Sequence, residues 1–425
     1  MKRKIDCFLI PLVVDRAKGS HVWDVEGNEF IDLLASAAVI NVGHNHEKVL
    51  EAVHEQVDRF IHYTPAYMYH VPHTKLAEKL VEITPGDFEK RVAFALSGSA
   101  SVDGAIKAAR SYTGRNHIVS FYHSYHGTTI GSLSVSGYGS DMRKGMGSLV
   151  PDVHFIPFPD SYRGKRTEEC LESFRELITM IVPAESIAAV IYEPIQGDAG
   201  ILIPEQAFYI EVEKICRENG ILLIADEVHT GFGRTGAMFA SELFHIDPDI
   251  IVLGKAIAAG MPLSAIVGRK EIMEAWHTPV HFFNTAGNPV SCAAATASIE
   301  VIEEEHLLEN AVTVGNYMME RFKDMMTRHE CIGDVRGSGL MIGVDIVKNR
   351  ESKERDVQTT AKICYRCWEK GVILAFFSGC VLRVEPPLTM TMEEAKDALD
   401  IVEASITDVE NGLVPDSAVD QVRGL

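Results

Sequence analysis

The sequence predicts an α/β protein with a mostly parallel central sheet in a large domain and a smaller α+β domain behind it. Three observations carry this. From about residue 90, short β-branched runs alternate with helical patterns, as a parallel sheet with crossover helices requires. From about residue 310 the texture changes to a long charged helix, shorter strands and a closing helix. The length of 425 residues, 46% of them hydrophobic, is ample for more than one buried core.

Taken in order, residues 91–96 predict a strand and 103–112 the helix after it, with the next strand at 117–121. Further strands are expected at 187–192, 221–225, 250–253 and 264–268, with helices at 205–218 and 287–304 between or after them. In the second domain, strands are expected at 340–346, 372–375 and 381–384 and a last helix at 392–410. The expected layout is an N-terminal segment 1–50 packing with the small domain, a large domain 51–310 and a small domain 311–425.

Forty Lys plus Arg against sixty Asp plus Glu leave a net charge of -20, which argues against nucleic acid or an anionic membrane as partner. Met1 to Lys4 resembles a signal n-region, but the apolar stretch Cys7 to Val14 contains Pro11 and runs into Asp15-Arg16 with no small-residue cleavage site. Secretion is therefore not expected. The apolar run Ala256 to Gly268 is too short to span a bilayer. A soluble, cytoplasmic protein is expected. Eight cysteines in this length do not form a disulfide scaffold, and Cys364 and Cys367 are expected as two thiols on one helix, not a redox motif.

In open α/β sheets ligands bind at the carboxyl ends of strands, so residues there are the candidates for chemistry. After the first strand, Ser97-Gly98-Ser99-Ala100 offers backbone N–H groups and hydroxyls for a phosphate. After the second, Tyr125 within Tyr122 to Gly127 offers an aromatic face to a flat heterocycle. Asp226 follows a third strand and could pair with a protonated ring nitrogen, and Gly254-Lys255 follows a fourth with an amine that can form an imine with an aldehyde. Together they fit one ligand, pyridoxal 5'-phosphate (PLP). Gly231 to Gly236 matches G-x-G-x-x-G, but five residues separate it from its strand and no acidic residue sits at the dinucleotide spacing. It is expected to be a tight loop.

These residues resemble the class III aminotransferase family of fold-type I PLP enzymes, over nearly the whole chain. The resemblance is carried by Val25 to Asn28 with Asn41 to His46, by Glu193-Pro194-Ile195-Gln196-Gly197-Asp198, and by Asp226 through Gly236 with Lys255 29 positions after Asp226. Ala286-Gly287-Asn288-Pro289 and Leu382-Arg383 also match. The likeness implies that Gly98 and Ser99 hold the phosphate, Tyr125 stacks on the ring, Asp226 binds its nitrogen, His229 lies near its phenolic oxygen and Lys255 forms the imine. It implies that Arg383 binds the substrate carboxylate, with Glu193 as its alternative partner, and that Ala37 and Tyr63 belong to the substrate pocket. It also implies a homodimer or dimer of dimers with shared active sites, in which Asn284 and Thr285 reach the neighbouring subunit's phosphate. Four positions depart from the common pattern: Ala100 for an acidic residue, Asn284 for Thr, His229 for Gln, and the small Ala37.

Within the family the likeness is to isoleucine 2-epimerases and broad-specificity amino-acid racemases, through 31–37, 62–67, 124–127 and 159–163. An amino acid joined to PLP has an acidified α-hydrogen. Lys255 is the natural base on one face, and return of the proton from the other face inverts the centre. Asp198 is the candidate for that second group. The expected function is racemisation or 2-epimerisation of apolar, including branched-chain, amino acids. The alternative is a 4-aminobutyrate-type ω-aminotransferase using 2-oxoglutarate, and a third possibility is a PLP-binding protein without activity. His62, His70 and His73 are too irregularly spaced for a metal site, so no metal is expected and this stretch should form pocket wall or loop packing.

Overall fold

A computed structural model describes residues 12–276, 280–420 and 422. Met1 to Lys4 and most of the apolar stretch after it lie outside the described residues. The chain divides into two compact units: 47–233 with 237–305, and 1–46 with 234–236 and 306–425. The breaks at 46/47 and 305/306 fall a few residues before positions 50 and 310. The three-residue excursion Arg234–Gly236 into the second unit was not expected.

The larger unit is built on a seven-stranded sheet. Its order is Lys90–Ala95, Ser264–Arg269, Ile250–Leu253, Leu222–Asp226, Ile187–Tyr192, His117–Phe121 and Val153–Ile156. Every neighbouring pair is parallel except those made by Ser264–Arg269, which runs antiparallel to both its neighbours. The central strands are buried along their whole length, which is why they read as continuous apolar runs. The edge strand Val153–Ile156 was missed, since four residues with a histidine among them give little periodicity. Helix Gly98–Thr113 packs its small face, Ala105, Ala108 and Ala109, with Val102 against Ile118, Ile191, Ile224 and Val252. It starts five residues before the expected position 103, because Ser97 caps it by accepting from the Ala100 N–H at 3.3 Å.

The smaller unit holds two sheets. One has the order Val14–Lys18, His21–Asp24, Glu29–Asp32 and Val372–Ile373, so the N-terminal strands pair directly with the C-terminal part of the chain. The other is antiparallel throughout, in the order Ile332–Ser338, Met341–Ile346, Val381–Val384 and Ala375–Phe377. The single strand expected at 372–375 is two strands: the chain passes from one sheet to the other at the fully buried Leu374. Helices Leu307–Arg328, Val357–Glu369 and Met392–Glu410 complete the unit. Cys364 and Cys367 are fully buried on the second of these, and burial raises both thiols, Cys367 to about 12. Among the described residues no helix is long and apolar enough to cross a membrane.

One local feature runs against residue preference. Ala35, Ser36, Ala37 and Ala38 all have positive φ, between 45° and 62°, and form a left-handed turn closed by Val39 N–H to Ala35 O at 2.9 Å. Each such residue costs roughly 1–2 kcal/mol relative to right-handed backbone. Asp32 holds the turn, its Oδ1 accepting from Leu34 N at 2.8 Å and Ala35 N at 3.0 Å, while Oδ2 meets His44 Nε2 at 2.8 Å. Ser36 is exposed, so its replacement by glycine removes strain and little else. Ser36→Gly is expected to stabilise the protein by about 1 kcal/mol, the reverse of the usual effect of glycine in a helical turn, as read by thermal unfolding.

Candidate active site

A cavity of about 180 Å³ lies where the larger unit's strands end, and it draws on five of the connections that follow them. Gly98 and Ser99 come from the start of helix Gly98–Thr113, and Tyr125, His126 and Gly127 from the loop after His117–Phe121. Glu193 and Asp198 come from the turn after Ile187–Tyr192, Asp226, Val228 and His229 from the end of Leu222–Asp226, and Lys255 from the turn after Ile250–Leu253.

The Gly98 end is a cradle. Ser99 Oγ accepts from Thr128 N–H at 3.1 Å, and Gly127 lies against it with φ +122°. A Cβ at Gly127 would sit 2.1 Å from Ser99 Oγ, so only glycine leaves the hydroxyl its place. A Cβ on Gly98 or on Gly254 would press into the Val228 methyls, at 3.0 Å and 3.2 Å. Val228 is thus packed between the cradle and the backbone that carries Lys255.

Asp226 is almost fully buried. Its Oδ1 accepts from Val228 N–H at 3.1 Å, and its Oδ2 meets His126 Nδ1 at 2.7 Å. The His126 side chain is wholly buried, and its Nε2 has no hydrogen-bond partner. His126 was missed as a site residue. The available signal was that a carboxylate buried at a strand end needs a donor, and a histidine stands next to the predicted stacking aromatic. Glu227, also missed, faces away from the cavity and is fully buried. It accepts from Ala240 N at 3.0 Å, Ser241 N at 2.7 Å, Ser241 Oγ at 2.7 Å and the Thr230 hydroxyl, which staples the loop carrying His229 to the residues after it.

Glu193 accepts from Tyr125 N–H at 2.8 Å and Gly197 N–H at 3.2 Å, and so fixes both the aromatic loop and the turn that carries Asp198. Burial pushes its carboxyl well above the ordinary range, and the neighbouring Asp226 pushes it further. Burial, then the charges of Asp198 and Glu193, likewise raise the Tyr125 hydroxyl. The slot for His229 depends on Gly197, whose Cβ would lie 2.0 Å from the imidazole Nδ1. Lys255 has φ +41°, a strained value for a side-chain-bearing residue and of the kind found at functional sites.

These residues fit a phosphorylated pyridine aldehyde. A helix N-terminus with two serines suits the phosphate, an aromatic suits the ring, a buried carboxylate suits the ring nitrogen, and a lysine suits the aldehyde. Of the expected site residues, Gly98, Ser99, Tyr125, Glu193, Asp198, Asp226, His229 and Lys255 are brought together. Asn284 and Thr285 are exposed and do not line this cavity, nor does Tyr63, which is 47% exposed. Arg383 and Ala37 belong to the smaller unit. His70 accepts from His73 N–H at 3.3 Å to cap helix Val71–Ile83, and His73 packs edge-on against Phe94. Burial lowers His73 to about 4.

Comparison with known proteins places this geometry. The sequence profile of the family described as aminotransferase class-III matches residues 4–406. A leucine/methionine racemase of Thermococcus litoralis is 48% identical over 421 residues, covering 97% of this chain and 95% of the relative. An isoleucine 2-epimerase of Lentilactobacillus buchneri is 46% identical over 411 residues, covering 95% and 91%. A probable 4-aminobutyrate aminotransferase of Bacillus subtilis is 36% identical over 401 residues, covering 92% of each. Among solved structures, a PLP-bound amine transaminase from an uncultivated Pseudomonas species superposes with a TM-score of 0.88 at 31% identity, covering 96% of this chain and 98% of that one.

Proposed function

Because this chain belongs to the class III aminotransferase family, with its fold-type I architecture, we propose that it is a PLP-dependent racemase or 2-epimerase of apolar amino acids, branched side chains included. The observation that carries this reading is that the racemase and the epimerase are markedly more similar to the chain than the 4-aminobutyrate aminotransferase is.

Bound PLP supplies an electron sink that acidifies the α-hydrogen of an amino acid joined to it. The Gly98–Ser99 cradle would hold the phosphate, Tyr125 the ring face and Asp226 the ring nitrogen. His126 orients that carboxylate and keeps it hydrogen-bonded. His229, wedged against Gly197, would face the phenolic oxygen. Lys255 would anchor the cofactor and take the α-proton on its own face. Asp198 would hold and return a proton on the other. Arg383 would receive the substrate carboxylate. The reading includes a cytoplasmic homodimer or dimer of dimers, in which the exposed Asn284 and Thr285 serve a neighbouring subunit's phosphate.

A second reading is an ω-aminotransferase of the 4-aminobutyrate type, favoured by the presence of both Glu193 and Arg383. The test is incubation of the PLP-loaded protein with L-isoleucine in deuterated water, without keto acid, followed by chiral chromatography. D-allo-isoleucine carrying deuterium at Cα is the expected product. If only the L-isomer remains and 4-aminobutyrate is consumed once 2-oxoglutarate is added, the aminotransferase reading replaces it.

A further inference from the structure

Arg383 is not presented as a lone cation. It lies on strand Val381–Val384 and is 2% exposed. Its cross-strand neighbours are Gly343 on one side and Ala375 on the other, two small residues that leave room for the guanidinium. The Phe377 ring lies 3.6 Å from its Cζ. Two positions along the chain on the same side of the strand direction, Glu385 is 0% exposed, and its Oε2 stands 3.4 Å from Arg383 Nε. Glu385 is held in place by its own backbone, whose N–H donates to Leu33 O at 2.8 Å.

A second buried arginine shares this carboxylate's field. Arg234 is 0% exposed and gives its donors to Leu340 O at 2.9 Å, Pro386 O at 2.6 Å and Asn41 Oδ1 at 2.6 Å. Burial lowers it to about 10, with the charges of Glu385 and Asp32 working in the opposite direction and that of Arg383 in the same one. Asp32 already serves the left-handed turn and His44. Glu385 is therefore a buried anion paired with one desolvated arginine and acting on the charge of a second.

We infer that Glu385 is a specificity-determining residue: it is the resident counter-ion of Arg383 and sets how tightly that arginine takes a substrate carboxylate. This rests on Arg383 being the carboxylate-binding residue. A fully desolvated arginine without an internal anion would hold any carboxylate strongly, in the ground state and the transition state alike, and would gain nothing in turnover. With Glu385 beside its Nε, an incoming carboxylate shares the guanidinium with an anion already there. Capture is weakened and release of the inverted product is eased.

The test uses the PLP-loaded enzyme and 3-methylbutanoate, a branched carboxylate with no amino group and no reaction to undergo, titrated calorimetrically. Glu385→Gln is expected to lower its Kd about tenfold, and to lower KM for L-isoleucine similarly with kcat within about twofold, as removal of a nearby buried like charge predicts. Glu385→Asp, which withdraws the carboxylate by one methylene and serves if the glutamine variant does not fold, is expected to lower Kd about threefold. A purely structural role would lower the thermal midpoint and leave Kd unchanged; that result in folded variants overturns the inference. Arg383→Gln separates the two assignments. If it weakens 3-methylbutanoate while the Glu385 variants bind as wild type, only the Glu385 inference falls. If it leaves Kd unchanged, the carboxylate role of Arg383 and the inference fall together.

Discussion

Lys255→Ala is expected to lower racemisation by about four orders of magnitude, the upper range of what a positioned proton-transfer group contributes. The size follows from two roles in one side chain. Lys255 lines the same cavity as the Gly98–Ser99 cradle and Asp226, and in the proposed function it would be both the anchor for the aldehyde and the base on its own face. Its φ of +41° at the head of a short turn is strained backbone of the kind found at functional sites. Lys255→Arg preserves the charge but supplies neither a nucleophile nor a base, so it is expected to be equally inactive. Chiral chromatography of the isoleucine reaction measures the rate. Borohydride reduction followed by peptide mapping checks the anchor: the wild-type chain should carry the cofactor on the peptide containing Lys255, and the variant nowhere. An alanine variant with wild-type turnover would remove Lys255 from the mechanism.

The parts of the fold that were legible are those whose burial is uniform. The strands Ile187–Tyr192, Leu222–Asp226 and Ile250–Leu253 are covered on both faces and show as unbroken apolar runs. The parts that were not legible lack that signature. Ile332–Ser338 contains Gly333-Asp334, Arg336 and Gly337, and is a strand because it pairs with Met341–Ile346, not because its residues prefer to be one. The start of helix Gly98–Thr113 reads as a loop because its glycine and serines, the residue types suited to cradling an anion, are also poor helix formers. The left-handed turn at Ala35–Ala38 is not legible from residue preference: three alanines and a serine favour the opposite hand, and the turn is held by the Asp32 hydrogen bonds and by its own backbone bonds.

The candidate site divides in the same way. Eight of the expected residues converge on one cavity, five picked from strand ends (Gly98, Ser99, Tyr125, Asp226 and Lys255) and three from the family resemblance and the mechanism it implies (Glu193, Asp198 and His229), because the carboxyl ends of parallel strands all open to the same edge of the sheet. What strand-end logic does not reach are the residues that hold those side chains. His126 serves Asp226, Glu227 staples the His229 loop, and Gly197 and Gly127 matter for the Cβ they lack. Their roles depend on tertiary contacts that no local pattern announces, such as the one between His126 and Asp226, which are 100 positions apart.

Asp198→Asn is expected to separate two events that the wild-type enzyme couples. Inversion at Cα needs a proton removed on one face and returned on the other. In the proposed mechanism Lys255 serves the face from which L-isoleucine loses its proton, so a variant lacking the second group should still exchange the α-hydrogen with solvent while keeping the starting configuration. Formation of D-allo-isoleucine from L-isoleucine is therefore expected to fall by about 10²–10³-fold, and deuterium incorporation into recovered L-isoleucine to stay within about threefold of wild type. Asparagine has the shape of aspartate and cannot carry the proton, so loss of packing is a poor alternative account. The neighbouring carboxyl is an unsuitable substitute: Glu193 is buried, engaged by the Tyr125 and Gly197 N–H groups, and pushed well above the usual carboxylate range by burial and by Asp226. Asp198 is only half-buried at the end of the turn that Glu193 fixes. Two carboxyls in one turn are thus given different environments, one suited to positioning and the other to proton exchange. Mass spectrometry of the separated isomers reads both rates from one reaction. Full racemisation by Asp198→Asn would assign the second face to another group, whereas equal loss of inversion and exchange would place Asp198 in substrate binding and not in proton transfer.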